Sequence, residues 1–406
     1  MRINKRKTIL TGVVAAGMML GLAIPGALAQ QAKKQLMPLP MPVPAPADNP
    51  STPAKVELGK LLFFDTRLSG DGSISCADCH DPKQGWGTNE PISRGYPGTV
   101  HWRNSHTAVN TAYLSKLFWE GNVGSLEAQA PAAAGGAVAG NGKDDVMEWR
   151  MRQIPDYEKR FREVFGSVPN IYETWLAVAA FEREELTQRN SPLDHYLKGD
   201  KTALSAKAVV GMDLFTGKAN CIECHNGPIM SDEKYYNLGV PRPPEFEESG
   251  MNTVTYRWEM YQKGITEEQY RTYKDDAGLY FTSKFKSDIG KFRTQPLRYL
   301  KYTAPYMHAG QFFTLEEVVD FYNEGGGENE FTKLAGNKSK KLKKLDLTKD
   351  EKAALVAFLT EVSGEQIIIP VPKVPPYAAK PDVAGLTQAQ AKRIGLEFIL
   401  SSSEKK

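Results

Sequence analysis

The chain has 406 residues, 41% of them hydrophobic and 24% charged, with a formal net charge of +3 from 51 basic and 48 acidic side chains. That length exceeds one typical domain and supplies core for two. The balance of charge gives no argument for nucleic-acid binding, and the hydrophobic content is that of a globular rather than a disordered chain.

Arg2, Lys5, Arg6 and Lys7 precede an apolar stretch over 8–24, and Ala27-Leu28-Ala29 is an A-x-A cleavage site. The pattern predicts a signal peptide over 1–29, cleavage near Ala29 and a periplasmic mature protein. Residues 30–54 form a proline-rich linker, read as an extended tether without a core of its own. Leu58, Leu61 and Leu62 predict a helix over 56–64, and a Gly/Ser-rich loop over 69–75 leads into Cys76-Ala77-Asp78-Cys79-His80. Asn170 to Leu186 reads as an amphipathic helix. Ser205 to Phe215 predicts another, stopped by Gly217 and followed by Cys221-Ile222-Glu223-Cys224-His225. A tyrosine-rich segment fills 250–291. Thr314 with Glu317 and Thr348 with Glu351 fit capping boxes. Lys338 to Lys344 reads as a solvated basic patch, with docking of an acidic partner as the sharper reading. After the signal no segment has the roughly 18 apolar residues of a spanning helix. Strand-like alternation is scarce, so the expected fold is mainly α.

All four cysteines fall in the two C-x-x-C-H motifs. Two thiols at this spacing add across the vinyl groups of one haem, and the adjacent histidine reaches its iron. Two copies with no cysteine left over favour two covalent c-type haems over disulfides or zinc. The helix–loop–motif unit occurs twice, about 145 residues apart, which is an internal duplication. It divides the mature chain into two cytochrome c-like helical domains, 55–200 and 201–365, with an extension over 366–406.

Each iron has a second axial position. Beyond His80 and His225 the histidines are His101, His106, His195 and His308, of which His195 reads as a surface residue. Tyr306, Met307 and His308 are chemically competent ligands for the second iron. So is Tyr322, which shares one helical face with Leu315, Val318 and Val319. Residue chemistry alone does not choose among them.

The series Leu58-Gly-Lys-Leu-Leu-Phe-Phe-Asp65, Arg103-Asn104, Leu117-Phe-Trp-Glu-Gly121, Ser125-Leu-Glu-Ala-Gln129, Phe292-Arg-Thr-Gln-Pro-Leu-Arg298 and Thr303-Ala-Pro-Tyr-Met-His308 surrounds the two haem motifs. In this order it resembles the bacterial di-haem cytochrome c peroxidase and MauG family over about 56–364. The resemblance implies a peroxidatic haem on His80 and an electron-transfer haem on His225, with Trp119 between them. It implies a calcium ion between the domains, held by the side chain of Asn104 and the carbonyls of Thr303 and Pro305, and Gln129 lining the peroxide pocket. Tyr322 falls where the peroxidases usually place a methionine axial ligand and MauG places a tyrosine.

Departures accompany the resemblance. The family's peroxidatic glutamate falls on Ala139, the distal histidine of some members on Tyr96, and MauG's surface tryptophan on Ala219. Tyr96, Glu120 and the pair Asp144/Asp145 are the substitutes that sequence offers for the missing acid. The 250–291 segment is longer than the family pattern needs. The expected function is a hydrogen peroxide-dependent oxidoreductase, with weakened peroxide turnover. Its electrons would come from a small redox protein (a cytochrome c or cupredoxin) or from a side chain of a protein substrate, and a homodimer stays open as its assembly. The alternative is a non-catalytic di-haem electron carrier that has lost the acid.

Overall fold

The computed structural model describes residues 34–96, 99–243 and 250–378, so the signal peptide over 1–29 and most of the C-terminal extension lie outside the described residues. In chain order the helices are α1 (Pro53–Phe63), α2 (Cys76–Cys79), α3 (Leu126–Gly135), α4 (Asp144–Arg152), α5 (Pro155–Phe165) and α6 (Ile171–Glu185), then α7 (Pro192–Leu197), α8 (Ala206–Thr216), α9 (Gly250–Gln262), α10 (Glu267–Thr272), α11 (Tyr280–Ser283), α12 (Leu315–Asn323), α13 (Glu330–Ala335) and α14 (Lys349–Glu361). The described strands are two residues each, β1 (Tyr235–Tyr236) and β2 (Phe292–Arg293), paired antiparallel with Tyr235 opposite Arg293. The expected mainly α fold is the one observed, and among the described residues no helix is long and apolar enough to cross a membrane.

Helix starts follow side-chain capping. Thr52 accepts from the Lys55 amide ahead of Pro53, so α1 begins three residues before the helix predicted at Val56. The capping boxes at Thr314 and Thr348 both form. α6 departs from its amphipathic reading: Thr174, Trp175 and the run Ala177 to Arg183 are buried. The reason is packing on two sides, against α1 and against α3.

One close helix crossing organises each half. In the first, Gly59 of α1 meets α6, and a Cβ there would lie 1.9 Å from the carbonyl oxygen of Ala177 and 3.0 Å from Phe181 Cβ. In the second, Gly211 of α8 meets α14, and its Cβ would lie 2.0 Å from the Ala354 carbonyl and 2.8 Å from Phe358 Cβ. Both crossings therefore use a glycine against an alanine and a phenylalanine four residues on. Phe63, Trp86, Phe161 and Phe181 fill the first core, and Phe215, Met230, Leu355 and Phe358 the second. A third cluster belongs to the long 250–291 segment: Tyr256, Met260 and Phe281 are buried with Trp102 and Val138 of the first half and Phe331 of the second.

The proline-rich stretch is extended, as read, but is fastened rather than free. Leu39 donates its amide to Asp194 at 3.0 Å, Arg298 donates to the Met37 carbonyl at 2.9 Å and Arg183 to the Pro44 carbonyl at 3.1 Å. The C-terminal extension returns across the first half, where Trp86 Nε1 donates to the Ile367 carbonyl at 2.7 Å and Arg67 to the Pro375 carbonyl at 2.7 Å. Chain without helix or sheet leaves its carbonyls unpaired, and buried arginine and tryptophan donors satisfy them.

Candidate functional site

Both C-x-x-C-H motifs open onto one continuous cavity of about 650 Å³. At the first, Cys76 to Cys79 form a single helical turn with a capping box between Ser75 and Asp78, and His80 closes it. His80 Nδ1 lies 3.0 Å from the Trp86 carbonyl. At the second, His225 Nδ1 lies 3.1 Å from the Met230 carbonyl. The acceptor residue is left-handed in both copies, with φ 61° at Trp86 and 55° at Met230, which is uncommon for side-chain-bearing residues. Each ring is thereby oriented with Nε2 left for a metal, the usual way a ligand histidine is held. Burial lowers both imidazole pKa values, which keeps the neutral, ligating form.

No disulfide joins the four cysteines. Among the described residues no group of three His, Cys, Asp or Glu is placed to hold a metal ion. Two thiols and one oriented neutral imidazole on the wall of an open cavity fit a covalently attached haem at each motif.

Trp119 lies where the halves meet. Its indole Nε1 donates to the Asn104 carbonyl at 2.9 Å, its ring stacks on His106 at 4.1 Å, and its own carbonyl accepts from the Arg293 amide at 3.0 Å. His308 stacks on Phe292 at 4.0 Å and meets Trp119 edge to face at 6.3 Å. The two rings occupy matching places in a repeated turn. Asn110, Phe118 and Gly121 have positive φ, as do Tyr299, Met307 and Gly310 at the same spacing. Bridges Leu117–Val123 and Tyr306–Phe312 close the two turns.

Asn104, Thr303 and Pro305 all line the cavity. Asn104 Nδ2 donates to the Glu90 carbonyl at 2.9 Å, which leaves Oδ1 available. The carbonyls of Thr303 and Pro305 accept no hydrogen bond among the described residues. Unused oxygens of this kind fit a hard cation such as calcium.

Tyr322 projects from α12 into the cavity, and its hydroxyl has no hydrogen-bond partner among the described residues. Its phenol pKa is raised, first by burial and then by the Cys221 and Cys224 sulfurs, which puts it beside the second motif. Two of the three rival ligands are engaged elsewhere: Tyr306 donates to the Leu300 carbonyl at 3.0 Å and His308 stands by Trp119, while Met307 also lines the cavity. The basic run also differs from a purely solvated patch. Lys341, though exposed, donates to the Glu223 carbonyl at 3.2 Å and to the Tyr236 hydroxyl at 2.8 Å, next to Cys224.

Gln129 of α3 and Ala139 line the cavity on the side of the first motif. Tyr96 does not: its ring lies against Gly70, while Arg94 and Gly95 form the wall. Asp144 and Asp145 are exposed at the start of α4, away from the cavity, and His195 is exposed as read. Glu120 is buried and ion-paired with Arg103 and, at 2.9 Å, with Lys263. Two carboxyls that line the cavity escaped the sequence reading. Glu182 of α6 has its pKa pushed up to about 8, chiefly by burial. Glu259 of α9 lines the cavity with Lys263 one turn on, and burial raises its pKa too. The i,i+4 spacing of Glu259 and Lys263 was the available signal. Nothing in sequence said which way the helix faces.

Residues 53–202 match the family model described as "Di-haem cytochrome c peroxidase". The chain is 54% identical over 332 residues to cytochrome-c peroxidase IdrP1 of Denitromonas iodatirespirans, covering 81% of this chain and 87% of that one. It is 32% identical to the methylamine utilization protein MauG of Methylorubrum extorquens, covering 80% and 83%. Among solved structures, a MauG-like protein associated with microbial copper homeostasis superposes with a TM-score of 0.67 at 29% identity, covering 82% of this chain and 96% of that one. The chain belongs to the di-haem cytochrome c peroxidase and MauG family. It is therefore an oxidoreductase with two haems.

Proposed function

We propose that the protein is a periplasmic peroxidase that reduces hydrogen peroxide with electrons from a small cytochrome c or cupredoxin. The observation that carries this reading is the single cavity shared by both Cys-Cys-His sets, Trp119 and Gln129. Export follows the signal peptide over 1–29, and the working units are the domains 55–200 and 201–365. The names of the curated relatives support peroxide as oxidant.

When bound, the haems supply the redox-active iron. His80 would be the ligand of the first, oriented by its bond to the Trp86 carbonyl, and Gln129 would help position peroxide in the same cavity. His225 and Tyr322 would be the protein ligands of the second. A phenolate is a harder donor than a thioether and stabilises the ferric state. Trp119 shortens the electron path across the domain boundary. Asn104, Thr303 and Pro305 hold calcium and so tie the halves in register. Lys341 and its neighbours give the edge of the second motif a positive charge that suits an acidic redox partner.

A MauG-like oxidation of a partner's side chain is the second reading, favoured by Tyr322 alone. Stopped-flow mixing of the diferric protein with peroxide, with and without prior one-electron reduction, separates the readings. Fast turnover after one-electron reduction supports the peroxidase, and reaction of the diferric form alone supports the MauG-like reading. No spectral change in either state defeats both.

A further inference from the structure

The long segment that departs from the family pattern packs beside the place where the family's acid is missing. Val138, next to Ala139, is buried in the same cluster as Tyr256 and Met260 of α9. Gly95 presses on this loop so closely that a Cβ there would lie 1.9 Å from the Val138 carbonyl oxygen. Glu259 precedes Met260, lines the cavity that Ala139 and His80 also line, and its carboxylate takes no hydrogen bond among the described residues. Lys263, on the same face of the helix, is tethered to Glu120 at 2.9 Å and so holds that end of α9 to the cavity wall.

We infer that Glu259 is the proton-handling carboxylate of the peroxide site, supplied by the inserted helix in place of the acid that Ala139 lacks. The inference rests on the peroxidase reading above. Reduction of peroxide, H2O2 + 2 H+ + 2 e− → 2 H2O, takes its electrons from the redox partner and its net protons from solvent. Within it Glu259 accepts the proton of the peroxide oxygen nearer the iron and delivers it to the farther oxygen, which leaves as water when the O–O bond breaks. The carboxylate ends as it began. A carboxyl whose pKa burial has lifted toward the working pH suits such a shuttle. Lys263 and Arg103 oppose that rise and Asp276 adds to it, while Glu120, His101 and His308 are among the ionisable groups that line the same cavity.

Among the other cavity carboxyls, Glu120 is ion-paired with Arg103 and Lys263 and Glu223 with Lys34, which leaves Glu182 as the competitor. Glu182 lies on α6, where its charge is felt at Cys76, and not on the segment beside Val138.

The test uses the di-haem holoprotein and two readouts. Glu259→Gln should slow single-turnover oxidation by peroxide about a hundredfold or more, the usual span of general acid–base catalysis. It should also slow the association of cyanide with the ferric first haem, because hydrogen cyanide must lose its proton as it binds. Ala139→Glu should restore both in the Glu259→Gln background. Unchanged cyanide association and unchanged peroxide oxidation in Glu259→Gln would overturn the inference. Loss in Glu182→Gln with Glu259→Gln unaffected would overturn it in favour of α6. If the wild type ignores peroxide, the peroxidase reading fails on its own, and cyanide association still decides whether Glu259 handles protons. Haem spectra and thermal midpoints close to the wild type show that a variant has folded.

Discussion

The indole of Trp119 and the backbone carbonyl of Asn104 are joined by a 2.9 Å hydrogen bond, so the tryptophan proposed to relay electrons is clamped to the residue proposed to bind calcium. Trp119→Phe keeps an aromatic ring but removes the donor and leaves a partly buried acceptor unpaired, at a cost of about 1–3 kcal/mol. Electron transfer between the haems should slow at least tenfold, read by stopped-flow on the one-electron-reduced protein. An unchanged rate would mean that electrons cross without the indole.

The same clamp makes calcium a structural matter. An ion shared by Asn104 and the 303–305 turn binds only the folded arrangement, and a ligand selective for the folded state stabilises it by about 2.7 kcal/mol at a hundred times its dissociation constant. Exhaustive chelation should lower the thermal midpoint and slow inter-haem transfer, and added calcium should reverse both. Unaltered melting and kinetics after chelation would leave the site without a cation.

Tyr322 sets the potential of the second haem in this reading. Tyr322→Met exchanges a phenolate for a thioether and should raise that potential markedly in a spectroelectrochemical titration. Tyr322→Phe should change the ferric ligand field. A Tyr322→Phe spectrum identical to the wild type would return the search to the 306–308 turn.

The glycine crossings are the points where stability is most exposed. Gly211→Ala puts a methyl 2.0 Å from a backbone oxygen that cannot rotate away, so α8 must shift from α14. Overpacking of this kind costs about 1–3 kcal/mol. Gly59→Ala makes the same demand in the other half. Thermal denaturation of both holoproteins should show midpoints lowered by several degrees, and a variant as stable as the wild type would show that the crossing is loose.

What could be read beforehand divides along physical lines. Cys76, Cys79, His80 and their second copy are covalent and metal chemistry at fixed spacing, so their role is legible without coordinates. Thr314 and Thr348 cap helices through contacts three residues long, and those too are legible. Glu182 and Glu259 were missed because an acid's proximity to a cavity depends on helix rotation and on contacts more than a hundred residues away. Tyr96 shows the converse. A position matched by resemblance can carry a side chain that the backbone turns toward Gly70 instead. The strap over 367–378 gives no periodic signal, because it is held largely through its backbone, by Trp86 and Arg67 on its carbonyls and by Tyr299 and Gln153 on its amides.

Trp119 and His308 meet at equivalent positions of two copies of one turn. Where separate identical subunits meet across a two-fold axis, the contact is self-complementary, and one substitution alters both sides at once. Here the two sides are encoded separately. One copy could acquire an oxidisable indole and the other an imidazole without either change being imposed on its counterpart. If electrons pass from one haem toward the other, as proposed, separate encoding lets the two sides of that contact differ in kind, which a contact between two identical chains on a two-fold axis does not allow.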